Sequence, residues 1–91
     1  LPIDKIECLL VHIMNKLLES MEQENKMANV EEYTENISIL YQHDIEYTES
    51  ILLSNGKNIK ETIMFLASTK NKTYPSLTSK CIFKYMDICH M

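Results

Sequence analysis

Residues 3–21, IDKIECLLVHIMNKLLESM, decide how the rest of the chain is read. Ile3, Ile6, Leu10, Ile13 and Leu17 recur at alternating spacings of three and four, the period of one α-helical face. Leu9, Met14 and Met21 widen that stripe beyond a two-helix seam, so the helix must bury itself against more than one neighbour. Pro2 suits the first helical position and Asp4 the positive end of the helix dipole. The spacing predicts a helix from about residue 2 to about residue 24.

A connection at 25–29 follows. Asn29 and Glu32 then have the spacing of a capping box, in which the two side chains satisfy each other's backbone N–H groups. Val30, Tyr33, Ile37, Leu40 and Tyr41 carry the second helical face. The pattern continues through Ile45, Tyr47, Thr48, Ile51 and Leu52 toward Gly56, which fits the left-handed position past a helix end. With no Pro or Gly inside it, the segment 30–53 is predicted as one helix, any kink being confined to His43-Asp44, where Asp44 could cap a second helix instead. Asn58 and Glu61 repeat the capping-box spacing before Ile59, Ile63, Leu66 and Ala67, a short face ending near Ser68. Polar residues 69–74 read as a loop, and Pro75 as the opening of a last helix with Leu77, Cys81, Ile82, Tyr85 and Ile88 on its buried side.

Composition agrees with this reading. Apolar residues make up 45% of the 91 and charged residues 24%, enough apolar surface to exclude a disordered tail. One Gly and two Pro leave too few turns for a many-stranded sheet. No apolar run reaches the roughly 18 residues of a membrane span. The expected architecture is therefore all-α: a small antiparallel bundle of four helices, or five if the middle segment breaks at Asp44. Its connections should be short, about four to six residues. Residues 1–91 are read as a single helical domain. Because the chain starts at Leu1 without a signal-peptide pattern, it is read as an excised or processed piece of a longer protein.

Charge is uneven. Residues 1–54 hold eleven acids against three lysines, and residues 55–91 hold two acids against six lysines. There is no arginine, which removes bidentate recognition of phosphate, carboxylate or guanine. Lys57, Lys60, Lys70, Lys72, Lys80 and Lys84 could neutralise phosphates without reading bases, so nucleic acid is at most an accessory contact. Cys8, Cys81 and Cys89 are odd in number and lack a CxxC, which favours free thiols and an intracellular setting, cytoplasmic or nuclear.

Nothing marks catalysis. His12, His43 and His90 lie far apart, and Glu31, Glu32 and Glu35 sit where the helix dipole favours acids. Cys89 and His90 are adjacent, so their side chains diverge on a helix and offer no metal face. A single Gly excludes a phosphate-cradling loop. Two glycosylation sequons, at Asn36 and Asn71, are as short as chance motifs.

The function expected from the sequence is non-enzymatic, without cofactor or metal. It is a protein–protein interaction or self-association module of a larger protein. Leu9 and Leu18 are two and a half turns apart and cannot share a side, so the first helix offers more apolar surface than one seam consumes. Methionines adapt to partners, and tyrosines bury a ring while the hydroxyl reaches water. The candidate interface is accordingly Leu9, Met14, Leu18, Met21, Tyr41 and Tyr47. A secreted helical ligand of the short-chain cytokine kind is the alternative, supported by the non-Met start and the sequons but opposed by the short connections. A fragment of a helical-repeat scaffold is the third reading, with no visible period behind it.

Overall fold

The first helix ends early. In the computed structural model, which describes residues 3–90, α1 spans Ile3–Ser20. Met21 still donates its N–H to the Leu17 carbonyl at 2.9 Å, and Gln23 donates to Ser20 at 3.0 Å. Asn25 then adopts the left-handed conformation (φ 61°) that Asn tolerates better than most side chains, and the chain reverses. The expected extension to residue 24 is thus replaced by a turn. Expectations placed on Pro2 and on the Ile3 and Asp4 side chains lie outside the described residues.

Helix α2 spans Met27–His43 and starts earlier than its sequence signal. Its N-cap is Lys26, which makes no side-chain capping bond, and the Asn29–Glu32 box is not its start. The reason is tertiary. Ser76, fully buried and fifty residues away, accepts the Lys26 N–H at 3.0 Å and donates its hydroxyl to the Gln23 carbonyl. The Ser76 N–H donates in turn to the Met21 carbonyl at 3.1 Å. One serine therefore satisfies groups on both sides of the α1–α2 turn, and the helix begins where that anchor lies.

The predicted single helix over 30–53 is broken. Asp44 takes an extended conformation (φ −156°, ψ 87°) and its carboxylate accepts the Tyr47 N–H, capping a four-residue α3, Ile45–Thr48. Thr48 secures the break from below, its hydroxyl donating to the Tyr41 and Asp44 carbonyls at 2.9 and 2.8 Å. Beyond α3 the chain is extended. Ile51 and Leu53 turn inward while Leu52 points to solvent, the alternation of a strand and not of a helix. The segment folds back on itself through Leu53 N–H to Lys57 carbonyl (2.8 Å) and Ile59 N–H to Ile51 carbonyl (2.9 Å). Gly56, at φ 85°, makes the reversal.

Helix α4, Ile59–Ala67, opens with the capping box the sequence predicts: Asn58 Oδ1 accepts the Glu61 N–H at 2.8 Å, and Glu61 Oε1 accepts the Asn58 N–H at 3.2 Å. Helix α5, Ser79–Cys89, is capped by Thr78 and not opened by Pro75. Pro75 instead precedes the buried pair Ser76 and Leu77 in the connecting loop, which are needed inside and cannot join the helix. The last two connections, at residues 49–58 and 68–78, are accordingly longer than expected.

Five helices and no strand make up the described residues, the helical bundle expected. Helix α2 packs between α1 and α5, and α4 packs on α5. Residues Leu9 and Ile13 of α1 approach Asn36, Ile39 and Leu40, and Tyr47, just beyond the end of α2, bonds Glu7 near the start of α1, so α1 and α2 run antiparallel. Helix α5 lies along α2 in the same direction, since Ser76 meets Lys26, Lys80 meets Glu31 (4.0 Å) and Tyr85 meets Thr34. The core draws Leu10, Met14 and Leu17 from α1, Val30 and Ile37 from α2, Ile59, Ile63 and Leu66 from α4, and Tyr85 and Ile88 from α5. Tyr85 is wholly buried, and its hydroxyl shares a hydrogen bond with Thr34 at 2.9 Å. Burial raises its pKa well above the ordinary phenol value, more than the bond to Thr34 lowers it. Among the described residues, no buried side-chain nitrogen or oxygen lacks a partner.

Candidate functional site

The six residues predicted to face a partner divide into two groups. Met14, Met21 and Tyr41 are buried in the core, where the closure of α1, α2 and α5 consumes them, and the folded chain does not present them. Burial raises the Tyr41 pKa, with the Glu49 carboxylate and the Cys89 thiol adding to the effect. Leu9 is 41% exposed, and Leu18 and Tyr47 are half-buried. The Tyr47 hydroxyl donates to Glu7 at 3.4 Å, tying α3 to the first half of α1. Leu9 and Leu18 do lie on different sides of α1, and each borders a separate groove.

The larger groove lies between the end of α1 and the outer face of α4. It encloses about 520 Å3, within the usual range for a binding cleft. It is lined by Leu18 of α1, by Asn55 and Lys57 of the turn before α4, and by Glu61, Thr62, Met64, Phe65 and Ser68 along and just past α4. Met64 and Phe65 are 49% and 46% exposed although both are apolar. The reason they face outward is the register of α4. The capping box at Asn58 sets that register, placing Ile59, Thr62, Ile63 and Leu66 inward and leaving their neighbours outside. Phe65 is held from behind by an edge-on contact with Tyr74, with ring centres 6.4 Å apart.

Two smaller grooves accompany it. Leu9, Ile13, Asn36, Ile39 and Leu40 line about 270 Å3 between α1 and α2, with Ile39 strongly exposed. Phe83 and Met86 stand over about 150 Å3 between α5 and the loop before it. Lys5, Cys8, Leu9 and His12 border a surface depression formed by α1 alone. The sequence reading missed Met64, Phe65, Ile39 and Phe83. Each is a large apolar residue beside a helical stripe and off its phase, and that displacement was the available signal.

The chemistry at these places is apolar. Among the described residues, no three His, Cys, Asp or Glu side chains group closely enough to hold a metal ion. His12 lies on α1, His43 at the end of α2 and His90 just past α5. The cysteines are unbridged: Cys8 is exposed, Cys89 half-buried, and Cys81 buried with its sulfur 3.3 Å from the Thr78 hydroxyl. No helix among the described residues is long and apolar enough to cross a membrane. Comparison with known proteins adds no family. No family model matches the chain, and no curated protein or solved structure is significantly similar to it.

Proposed function

We propose that the chain is a non-enzymatic protein-interaction module that seats a helix of a partner protein in the groove between α1 and α4. The observation that carries this reading is the pair Met64 and Phe65, adjacent, about half exposed, and lining with Leu18 a groove of about 520 Å3. Isolated exposed apolar residues are ordinary; two together on the lip of an apolar groove are the form that helix-in-groove recognition takes. The fit is one of scale as well. Helix α4 is nine residues, about 13 Å long, which matches two to three turns of a docked helix. Three unbridged thiols, one of them exposed, support a reducing compartment for this activity.

The test uses a designed amphipathic peptide with leucines at i, i+3, i+4 and i+7, titrated into the isotope-labelled chain and followed by NMR. Saturable shifts at Leu18, Thr62, Met64 and Phe65 are expected. The variants Met64→Glu and Phe65→Glu, both at exposed positions, should remain folded and abolish those shifts. Shifts scattered over unconnected surface, or none, would defeat the reading.

A further inference from the structure

Asn55 and Gly56 form the tip of the turn before α4, and both are exposed. The Asn55 Oδ1 accepts the Lys57 N–H at 2.9 Å, a turn closed by the side chain itself. The ring that this bond closes contains the Gly56 nitrogen, so the side-chain amide carbon is folded back toward that atom. Gly56 has no side chain to stand between them, and a Cβ there would meet nothing within 4 Å, so water reaches the turn. The Gly56 N–H donates to the Leu53 carbonyl at 3.0 Å, a single bond that local opening of an exposed turn releases. The chain's one glycine follows Asn55, whereas Asn15, Asn25, Asn29, Asn36, Asn58 and Asn71 precede Lys, Val or Ile, whose side chains crowd the next nitrogen. Asn15, Asn29 and Asn36 are further held inside helices. The Oδ1 atoms of Asn58 and Asn71 are engaged by the Glu61 N–H and the Ser79 hydroxyl, away from the nitrogen that follows each.

We propose that Asn55 is a self-modification site, at which the backbone of the folded chain converts a neutral amide into an acid. The Gly56 nitrogen, its proton removed by hydroxide, attacks Cγ of Asn55. A carbon–nitrogen bond forms, the bond from Cγ to the side-chain nitrogen breaks, and that nitrogen takes a proton from water and leaves as ammonia. The product is a cyclic succinimide. Water then opens the ring at either carbonyl, giving an aspartate at position 55 or an isoaspartyl linkage in which the chain runs through the β-carbon. No electrons are transferred, and hydroxide and water are the co-reactants. The Lys57 N–H faces the oxygen on which negative charge develops during the attack, and so favours it. Asn55 and Lys57 both line the α1–α4 groove, so either product places a carboxylate where a neutral amide stood. The isoaspartyl product also lengthens the backbone between Leu53 and Lys57, whose N–H and carbonyl bond at 2.8 Å, and loosens the turn that leads into the Asn58 cap. The modification does not depend on what docks in the groove.

In the experiment the folded chain is incubated at mildly alkaline pH and sampled over time. Each sample is digested and mapped by mass spectrometry with electron-transfer fragmentation, which separates aspartyl from isoaspartyl products. A synthetic peptide of residues 50–60 serves as the reference for the same sequence without the fold. Conversion in the folded chain should be confined to Asn55, should yield both products, and should quicken as pH rises, because the attacking nitrogen must lose its proton. Asn55→Gln, at an exposed position, should stay folded and lose the conversion, since its longer side chain has to close a larger ring. In the isoaspartyl chain the Leu53 amide should exchange with solvent faster while that of Ile63, inside α4, does not. An Asn55 that stays intact in the folded chain while the reference peptide converts would overturn the proposal, because the fold would then protect the site. Earlier conversion of any other asparagine, or equal conversion in the Asn55→Gln chain, would overturn it as well.

Discussion

Replacing Ser76 with Ala tests whether a residue fifty positions away decides where α2 begins. The change removes two hydrogen bonds, from the Lys26 N–H and to the Gln23 carbonyl, and leaves the Ser76 N–H bond to Met21 in place. Each lost bond is worth about 1 kcal/mol, and water reaches the exposed residues Gln23 and Lys26, so the net cost should be about 1–2 kcal/mol. For a domain of this size that lowers the thermal midpoint by roughly 5–15 °C. The structural consequence is more specific than the energy. Without its anchor the first turn of α2 has no cap, and the Asn29–Glu32 capping box, idle in the native fold, becomes the better start. The Val30 and Glu31 amides, bonded in the native first turn, should then exchange with solvent faster while the middle of α2 does not. Asn29→Ala should be nearly silent alone and cost about 1 kcal/mol further in the Ser76→Ala background. Calorimetry and hydrogen exchange followed by NMR give both readings. Unchanged protection at Val30 and Glu31, with a midpoint within about 2 °C of the parent, would refute the reasoning.

Leu10→Ala or Leu17→Ala should each cost about 2–5 kcal/mol in urea unfolding, since both side chains are wholly buried and their removal opens a cavity. In alkali, the raised Tyr85 pKa means the folded state keeps a proton that the unfolded state loses above the ordinary value of 10.0. Stability should therefore be unaffected by this group below pH 10.0 and fall above it by about 1.4 kcal/mol per pH unit, a slope that Tyr85→Phe removes. Tyr41, shifted in the same direction, adds to the decline. A thiol reagent should label Cys8 rapidly in the native protein, Cys89 more slowly, and Cys81 only on unfolding, giving three thiols in denaturant; mass spectrometry of the timed products checks the order.

Where folding was decided within a turn or two of sequence, the sequence was readable. The Asn58–Glu61 box forms because both partners lie on four consecutive residues, and the Leu10–Ile13–Leu17 stripe is buried because nothing else could cover it. The misplaced boundaries share another cause. Helix α2 starts at Met27 because of Ser76, and α5 waits until Ser79 because Ser76 and Leu77 must be inside, and no local pattern carries either fact. The break at Asp44 was visible as a capping residue, but its strength comes from the Thr48 hydroxyl, which reaches back to the Tyr41 carbonyl at 2.9 Å. The groove was half legible. Leu18 belonged to the excess apolar surface of α1, whereas Met64 and Phe65 acquire meaning only once α4 stands opposite it. Met14, Met21 and Tyr41 are buried because α2 packs against α1 on one flank and α5 on the other, closing a core over residues that a single seam would have left bare.

The alignment of α5 along α2 has a consequence for the chain as it is made. One flank of α2 is covered by α1 as soon as residue 43 is available, but the other waits for residues 76–88. Until then the Thr34 hydroxyl lacks Tyr85, and the Gln23 and Lys26 backbone groups lack Ser76. At synthesis rates of about 5–20 residues per second, this leaves an unfinished helical pair with one greasy side uncovered for several seconds. A nascent chain stalled before residue 76 should thus be protease-sensitive and attractive to chaperones, and should become resistant once α5 has cleared the ribosome tunnel.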